Sequence, residues 1–257
     1  MIKQYKILLA PQRENCAPFT AGAAYTFYGA LMQKLTPECA EQMHSADEIN
    51  LTQYLTPVSG GAKALWTVSL LSKEKNTEAA SILEDCNEYR LISRDTVMKV
   101  EERASVVVDS LGELLDIPGG DRDCARFHMR FISPTAFRVA GEYQFFPTVK
   151  HILASLSSRW NAAFPASPVE DCDAFTALEK GVRITGYDLR SSYYRLKGTP
   201  IPAFTGWATL SAKLSPPLLQ LLRGLLAFGC FGGIGIKTAL GMGGTAIKES
   251  PRSTKNV

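Results

Sequence analysis

Gly229-Cys-Phe-Gly-Gly-Ile-Gly-Ile-Lys-Thr-Ala-Leu-Gly-Met-Gly-Gly244 is the stretch around which the chain reads. Seven of its sixteen residues are glycine. The segment before it, Ser215-Pro-Pro-Leu-Leu-Gln-Leu-Leu-Arg-Gly-Leu-Leu-Ala-Phe228, predicts a helix with Ser215 as N-cap and Pro216 at the first helical position. Leu218, Leu221, Leu222 and Leu225 share a face of it, and Gly229 is the expected left-handed stop. Thr245 to Lys248 predicts a closing strand, so the glycines join a helix to a strand.

Glycine permits positive φ and close approach of a ligand to main-chain N–H groups, and successive amides can cradle an anion. Gly233, Gly235, Gly241 and Gly243 are candidates for such a cradle, with Lys237 adding a charge and Thr238 a hydroxyl. The bland alternative is a tight helix–strand junction that needs small residues. A phosphate-binding P-loop is disfavoured, because Ile236 rather than glycine precedes Lys237-Thr238 and the helix comes first. A dinucleotide fingerprint runs strand, loop, helix, the reverse of the order here.

Charge supports a polyanionic partner. Residues 1–130 carry 14 Lys/Arg and 18 Asp/Glu, net −4, whereas residues 131–257 carry 14 and 7, net +7. A basic half is the footprint of phosphate binding. The six cysteines are scattered with no Cys-x-x-Cys pair, which suggests neither a zinc site nor a disulfide framework and fits a cytoplasmic protein. No uncharged apolar run approaches the roughly 20 residues that span a bilayer, so no membrane partner is expected.

The element pattern predicts an α+β chain of two tandem ferredoxin-like (βαββαβ, RRM-like) units, residues 1–118 and 124–257. In the first, Ile2–Ala10 is a strand and a helix follows Thr20. A short helix restarts at Thr36-Pro37 and ends near His44. Strands follow at Leu51–Val58 and Ala64–Leu71, a helix at 78–86, and short strands at 89–92 and 96–100. Residues 116–123 are the linker. In the second unit, Arg126–Phe131 is a strand and 147–164 a helix with Ile152, Leu153, Leu156 and Trp160 inward. Strands at 182–196 and 206–214 are joined through Gly198-Thr-Pro-Ile-Pro202.

The block Leu226–Gly244 resembles the C-terminal glycine-rich signature of the CRISPR repeat-processing endoribonucleases of the RAMP superfamily. Phe131-Ile-Ser-Pro-Thr-Ala-Phe-Arg138, Ser155-Leu-Ser-Ser-Arg-Trp-Asn161, Gln42-Met-His44 and Gln53-Tyr-Leu-Thr-Pro-Val58 extend the resemblance over most of the chain. It implies cleavage of CRISPR precursor RNA with no metal or other cofactor. Attack by the 2′-OH would leave a 2′,3′-cyclic phosphate and a 5′-OH. CRISPR repeat RNA is the implied partner, while other CRISPR effector subunits and a homodimer stay open.

Metal-independent cleavage needs a base, an acid and stabilisation of the phosphorane. Of the three histidines, His44 sits at a helix C-terminus, which favours the protonated form and suits a general acid. His128 alternates with Phe127 and Met129 in a strand and is structural or RNA-contacting, and His151 belongs to a solvated helix face. The resemblance places a catalytic tyrosine on the first helix, where Tyr28 is the candidate and Tyr25 its rival. Some members carry a lysine six residues past the histidine; here Asn50 stands there, leaving Lys237 or Lys34 for that role.

Arg190-Ser-Ser-Tyr-Tyr-Arg-Leu-Lys197 is a second RNA-contact candidate, through Arg190, Arg195 and Lys197 with Tyr193 or Tyr194 as a stacking surface. A non-catalytic RNA-binding RAMP subunit of a CRISPR effector complex and a phosphate- or nucleotide-binding scaffold are the alternatives.

Overall fold

The computed structural model describes residues 2–13, 16–44, 51–72, 76–115 and 124–250; for Gln42, His44 and Cys124 only the backbone is described. The linker expected at residues 116–123 and Asn50 lie outside these.

Two antiparallel sheets organise the chain. The first has the order β2-β3-β1-β5-β4, from β1 (Ile2–Pro11), β2 (Leu51–Val58), β3 (Lys63–Leu70), β4 (Glu88–Leu91) and β5 (Thr96–Val108). The helices α1 (Ala24–Met32), α2 (Pro37–His44) and α3 (Thr77–Asp85) fall between its strands, and α4 (Leu111–Leu115) follows β5. Leaving out the edge strand β4, the order is that of a ferredoxin-like unit. The second sheet repeats it: β11 (Thr245–Glu249), β6 (Cys124–Thr135), β10 (Thr199–Lys213) and β9 (Val182–Leu196) lie in the order β11-β6-β10-β9. Its helices are α5 (Val149–Ala163), α6 (Cys172–Gly181) and α7 (Pro216–Gly232), and a hairpin of β7 (Phe137–Val139) and β8 (Glu142–Gln144) follows β6.

Period-2 patterning gives each sheet a helix-covered face. In β1, Tyr5, Ile7 and Leu9 are fully buried beneath Phe27 and Leu31 of α1 and Leu83 of α3. Trp66 of β3 packs on Phe27 and Tyr89 and donates Nε1–H to Gln53 Oε1 at 2.9 Å. In the second sheet, Phe127, Met129 and Phe131 of β6 meet Leu153 and Leu156 of α5 and Leu222 and Leu225 of α7. Ile2, Leu71, Val108 and Leu114, from the first half of the chain, join this second core.

Several elements differ from the sequence expectation, each for a local reason. The helix expected to stop at Gly229 runs on to Gly232, with Gly233 (φ 69°) as its C-cap. A Cβ on Gly229 would lie 2.8 Å from Leu156, so that glycine answers helix packing rather than termination. The segment 198–202, expected to be a loop, is strand. The turn is only Lys197-Gly198, both at positive φ (48° and 85°), the geometry of a two-residue hairpin. Pro200 and Pro202 are tolerated because β10 pairs with β6 only from Phe204 onward, so one side of the strand is open there. The strands at 96–108 and 124–135 are longer than expected, α6 was not anticipated, and Thr20 makes no side-chain cap.

Truncation of Trp66 to alanine should cost about 3–5 kcal/mol, the range for large aromatic deletions in cores. Urea unfolding of Trp66→Ala against the parent chain measures it.

Candidate active site and nucleic-acid interface

The glycine-rich stretch folds back on itself and uses most of its own amides. Gly233 N–H donates to Gly229 O, Ile234 to Gly243 O, Gly235 to Ser155 Oγ at 2.7 Å and Ile236 to Ala136 O. Leu240 and Met242 donate to Lys237 O, Gly241 to Thr238 O, Gly243 to Pro134 O and Gly244 to Ser133 Oγ. The four candidate cradle glycines are buried, and their N–H groups are committed within the chain. Their small size is what the fold requires: a Cβ would lie 2.3 Å from Ala136 O at Gly235 and 2.2 Å from Ile234 O at Gly243. The junction reading of the glycines therefore holds for their amides.

Arg159 of α5 locks this loop. The residue is 6 % exposed, and its guanidinium donates to Gly232 O at 3.2 Å, Gly235 O at 2.6 Å and Thr238 Oγ1 at 2.5 Å. Burial pulls its pKa down to about 10. Thr238 is thus buried and taken up by Arg159. Lys237 remains half-buried in a left-handed conformation (φ 55°) at the loop's tip.

The same loop joins the two sheets. Gln53 of β2 donates to Ala24 O at 3.1 Å and to Ala239 O at 3.2 Å. Gln4 and Thr52 reach Cys230 O and Phe231 O at 3.1 and 2.5 Å. A Cβ on Gly241 would stand 2.4 Å from Ala24 Cβ and 2.5 Å from Tyr194 Oη. Ala239 and Leu240 pack on the first core, as do Tyr25 of α1 and Met43 of α2. The helix that ends at His44 and the glycine loop therefore share one core. The start of α2 is fixed from α3, where Glu78 accepts from Thr36 N–H at 2.7 Å and from its hydroxyl at 2.9 Å, which holds that carboxyl below its ordinary range.

Of the two tyrosines, Tyr28 is 4 % exposed, and burial pushes its phenol up. Tyr25 is half-buried and lies under Lys197, whose Nζ is 6.0 Å from its ring centroid. Tyr194 is buried and donates to Leu240 O, whereas Tyr193 is 71 % exposed, so the set Tyr193–Arg195 faces away from the loop. Arg190, Arg195 and Lys197 are all exposed. Arg190 shares Tyr194's strand face, and Lys197, at the hairpin turn, is brought back over α1. Lys34 is directed elsewhere, over the Tyr89 ring at 5.8 Å.

Two features escaped the sequence reading. The open face of the second sheet aligns Lys248 with His128 and Thr209, and Ala246 with Arg130 and Trp207. His128 is exposed there with its ring tilted against Trp207 at 5.1 Å, and with Arg130 and Lys248 this makes a basic and aromatic strip. Strand alternation placed His128 outward, but the register that brings Trp207 to it is set by a bulge between Phe204 and Gly206. The second is His151, expected on a solvated face. It is half-buried, its ring lies tilted against Phe137 at 5.2 Å, and among the described residues its Nδ1 has no hydrogen-bond partner.

A family model described as CRISPR-associated endoribonuclease Cas6 matches residues 129–245. A CRISPR-associated endoribonuclease Cas6 of Streptococcus thermophilus is 30 % identical over 231 residues, covering 88 % of this chain and 91 % of that one. The chain belongs to the Cas6 family of CRISPR-associated endoribonucleases. A Mycobacterium tuberculosis Cas6 is 26 % identical, over 87 % of this chain and 70 % of its own. The Thermus thermophilus Cas6 TTHB231, in its product complex, superposes with a TM-score of 0.77 at 23 % identity, over 96 % of this chain and 99 % of that one. This likeness is to the fold, two ferredoxin-like units in tandem. Membership of Cas6 makes the chain an endoribonuclease and sets aside the binding-only subunit and the nucleotide scaffold. Among the described residues no helix is long and apolar enough to cross a membrane.

Replacing Arg159 with methionine should leave its buried acceptors unpaired, at about 1–3 kcal/mol for each group so stranded. Thermal unfolding should show a clear drop for Arg159→Met and none for the exposed Arg195→Ala.

Proposed function

We propose that this Cas6 cleaves CRISPR precursor RNA within its repeats by 2′-OH attack, without a metal ion, leaving a 2′,3′-cyclic phosphate and a 5′-OH. The observation that carries the reading is the seam where the glycine loop, Tyr25 of α1 and the Lys197 hairpin turn meet, on the core shared by the helix that ends at His44. A strand of RNA laid along this seam meets cations from the second sheet, and α2, which ends at His44, belongs to the core of the first.

In this mechanism His44, at a helix C-terminus where positive charge is favoured, protonates the departing 5′-oxygen. A tyrosine hydroxyl of α1 orients the 2′-OH. Tyr25 suits this better than Tyr28, because its ring is partly open and Tyr28 is sealed in the core. Lys197 stabilises the phosphorane charge, the role that neither Asn50 nor Lys34 fills. Lys237, Arg190 and Arg195 bind flanking phosphates, and Gly233, Gly235, Gly241, Gly243 and Thr238 serve the RNA by holding Lys237 at the surface rather than by direct contact. The proposed units, residues 1–118 and 124–257, divide the labour into acid and tyrosine on one side and phosphate binding on the other.

Cleavage of a cognate repeat transcript should persist in EDTA and fall about 10²–10⁴-fold in His44→Ala. Full inhibition by EDTA, or full activity of the variant, contradicts the mechanism. Tyr25→Phe should lower the single-turnover rate more than Tyr28→Phe, and end-group analysis of the products should find the cyclic phosphate.

A further inference from the structure

A cavity of about 290 Å³ opens between α5, β7 and the glycine loop. That volume is at the small end of ligand sites, about 300–1,000 Å³, and suits a single nucleotide rather than a helix. The lining is in part cationic and polar: Arg138 is exposed, His151 is half-buried, and Arg159 is buried. Ser155 and Ser158 add hydroxyls from successive turns of α5. Val139 and Ile236 add apolar surface to the same lining. The described lining holds no carboxylate.

Among the described residues, two buried nitrogens in this lining have no hydrogen-bond partner. One is Nδ1 of His151, and the other is Nε of Arg159, a side chain 94 % removed from solvent at 6 % exposure. Arg159 satisfies its other nitrogens with two carbonyls and a hydroxyl, all neutral, so among the described residues its charge has no counter-ion. A buried cation without an anion is costly, and an orphaned donor adds to the cost. Both deficits point to an anionic ligand with hydrogen-bond acceptors. The apolar surface in the same lining calls for a flat, weakly polar group beside that anion. A nucleotide is both.

We propose that this pocket takes one unpaired nucleotide of the repeat RNA, with its phosphate toward Arg138, His151 and Arg159 and its base against Val139 and Ile236. The assignment rests on the RNA reading above. It gives the glycine loop a second use, since the segment from Gly235 to Ile236 forms the pocket's edge while its amides stay committed to the fold. Unpaired bases are where proteins read RNA sequence, so the pocket would act as a positioning and selectivity site away from the cut.

The test follows the imidazole of His151 by NMR, in a chain with three histidines. The probes are adenosine 5′-monophosphate, inorganic phosphate alone, and a repeat RNA blocked by a 2′-deoxy sugar at the cut. AMP and the RNA should each shift the His151 ring saturably, with phosphate weaker than AMP. His151→Ala and Ser158→Leu, the latter filling the pocket from an exposed position, should each weaken binding of the blocked RNA about tenfold. No movement of the His151 ring with AMP or RNA overturns the proposal. So does unchanged RNA affinity in both variants. Phosphate matching AMP would reduce the pocket to a bare anion site and overturn the nucleotide assignment. A wild-type chain that binds no repeat RNA contradicts the RNA reading itself, and the AMP titration still decides whether the pocket holds a nucleotide.

Discussion

Close approach of backbone to backbone in the glycine-rich loop is the constraint on which the rest of the molecule depends. Between Gly233 and Gly244 the chain turns back against the end of α7, against the C-terminal end of β6 and against α1. At Gly235 and Gly243 a single added carbon would sit inside the contact distance of a carbonyl oxygen. The same crowding lets the loop hydrogen-bond to itself and to residues 133–136. Arg159 then fills the interior that side chains of the loop cannot, replacing missing side-chain contacts with three hydrogen bonds. Small residues and one long buried cation are two halves of one solution.

This packing places chemistry that neither sheet could assemble alone. The first sheet brings Gln53 to the loop, and the loop brings Gly241 against Ala24, so that Tyr25 emerges at the seam. The β9–β10 hairpin is held to the loop by Tyr194, and its turn returns Lys197 over Tyr25. The net charge of the C-terminal half, +7 over residues 131–257, is thereby set beside a half that is net negative but carries the candidate acid. The division of cations and acid between two similar units gives a substrate strand a reason to lie across both.

Much of this was legible in the sequence, for identifiable reasons. A run of apolar, β-prone residues exposed β1, alternation exposed the β6 segment, and the Leu repeat with Ser215-Pro216 exposed α7, because those patterns follow from local geometry. The doubled element order gave the tandem fold, and the glycine signature gave the family. What stayed hidden depends on partners distant in sequence. A run of glycines reads equally as an anion cradle or as a junction until the amides' acceptors are known, and here those acceptors lie on Ser133, Pro134, Ala136 and Ser155. The same holds for Tyr25 against Tyr28, one helical turn apart, whose burial is decided by the neighbours of α1. Pro200 and Pro202 argued for a loop, yet an open strand side made them harmless. His151 and Arg159 looked like a solvated face and a motif residue, and only the fold of β7 across α5 encloses them.

Amide hydrogen exchange over residues 233–244, with and without a blocked repeat RNA, addresses the central claim most directly. The account predicts slow exchange at 233–236 and 240–244 in the free protein, with little change when RNA binds, because those N–H groups already serve the fold. Rapid exchange in the free protein, with protection appearing only on adding RNA, would mean that the loop's amides are reserved for the ligand, and would contradict it.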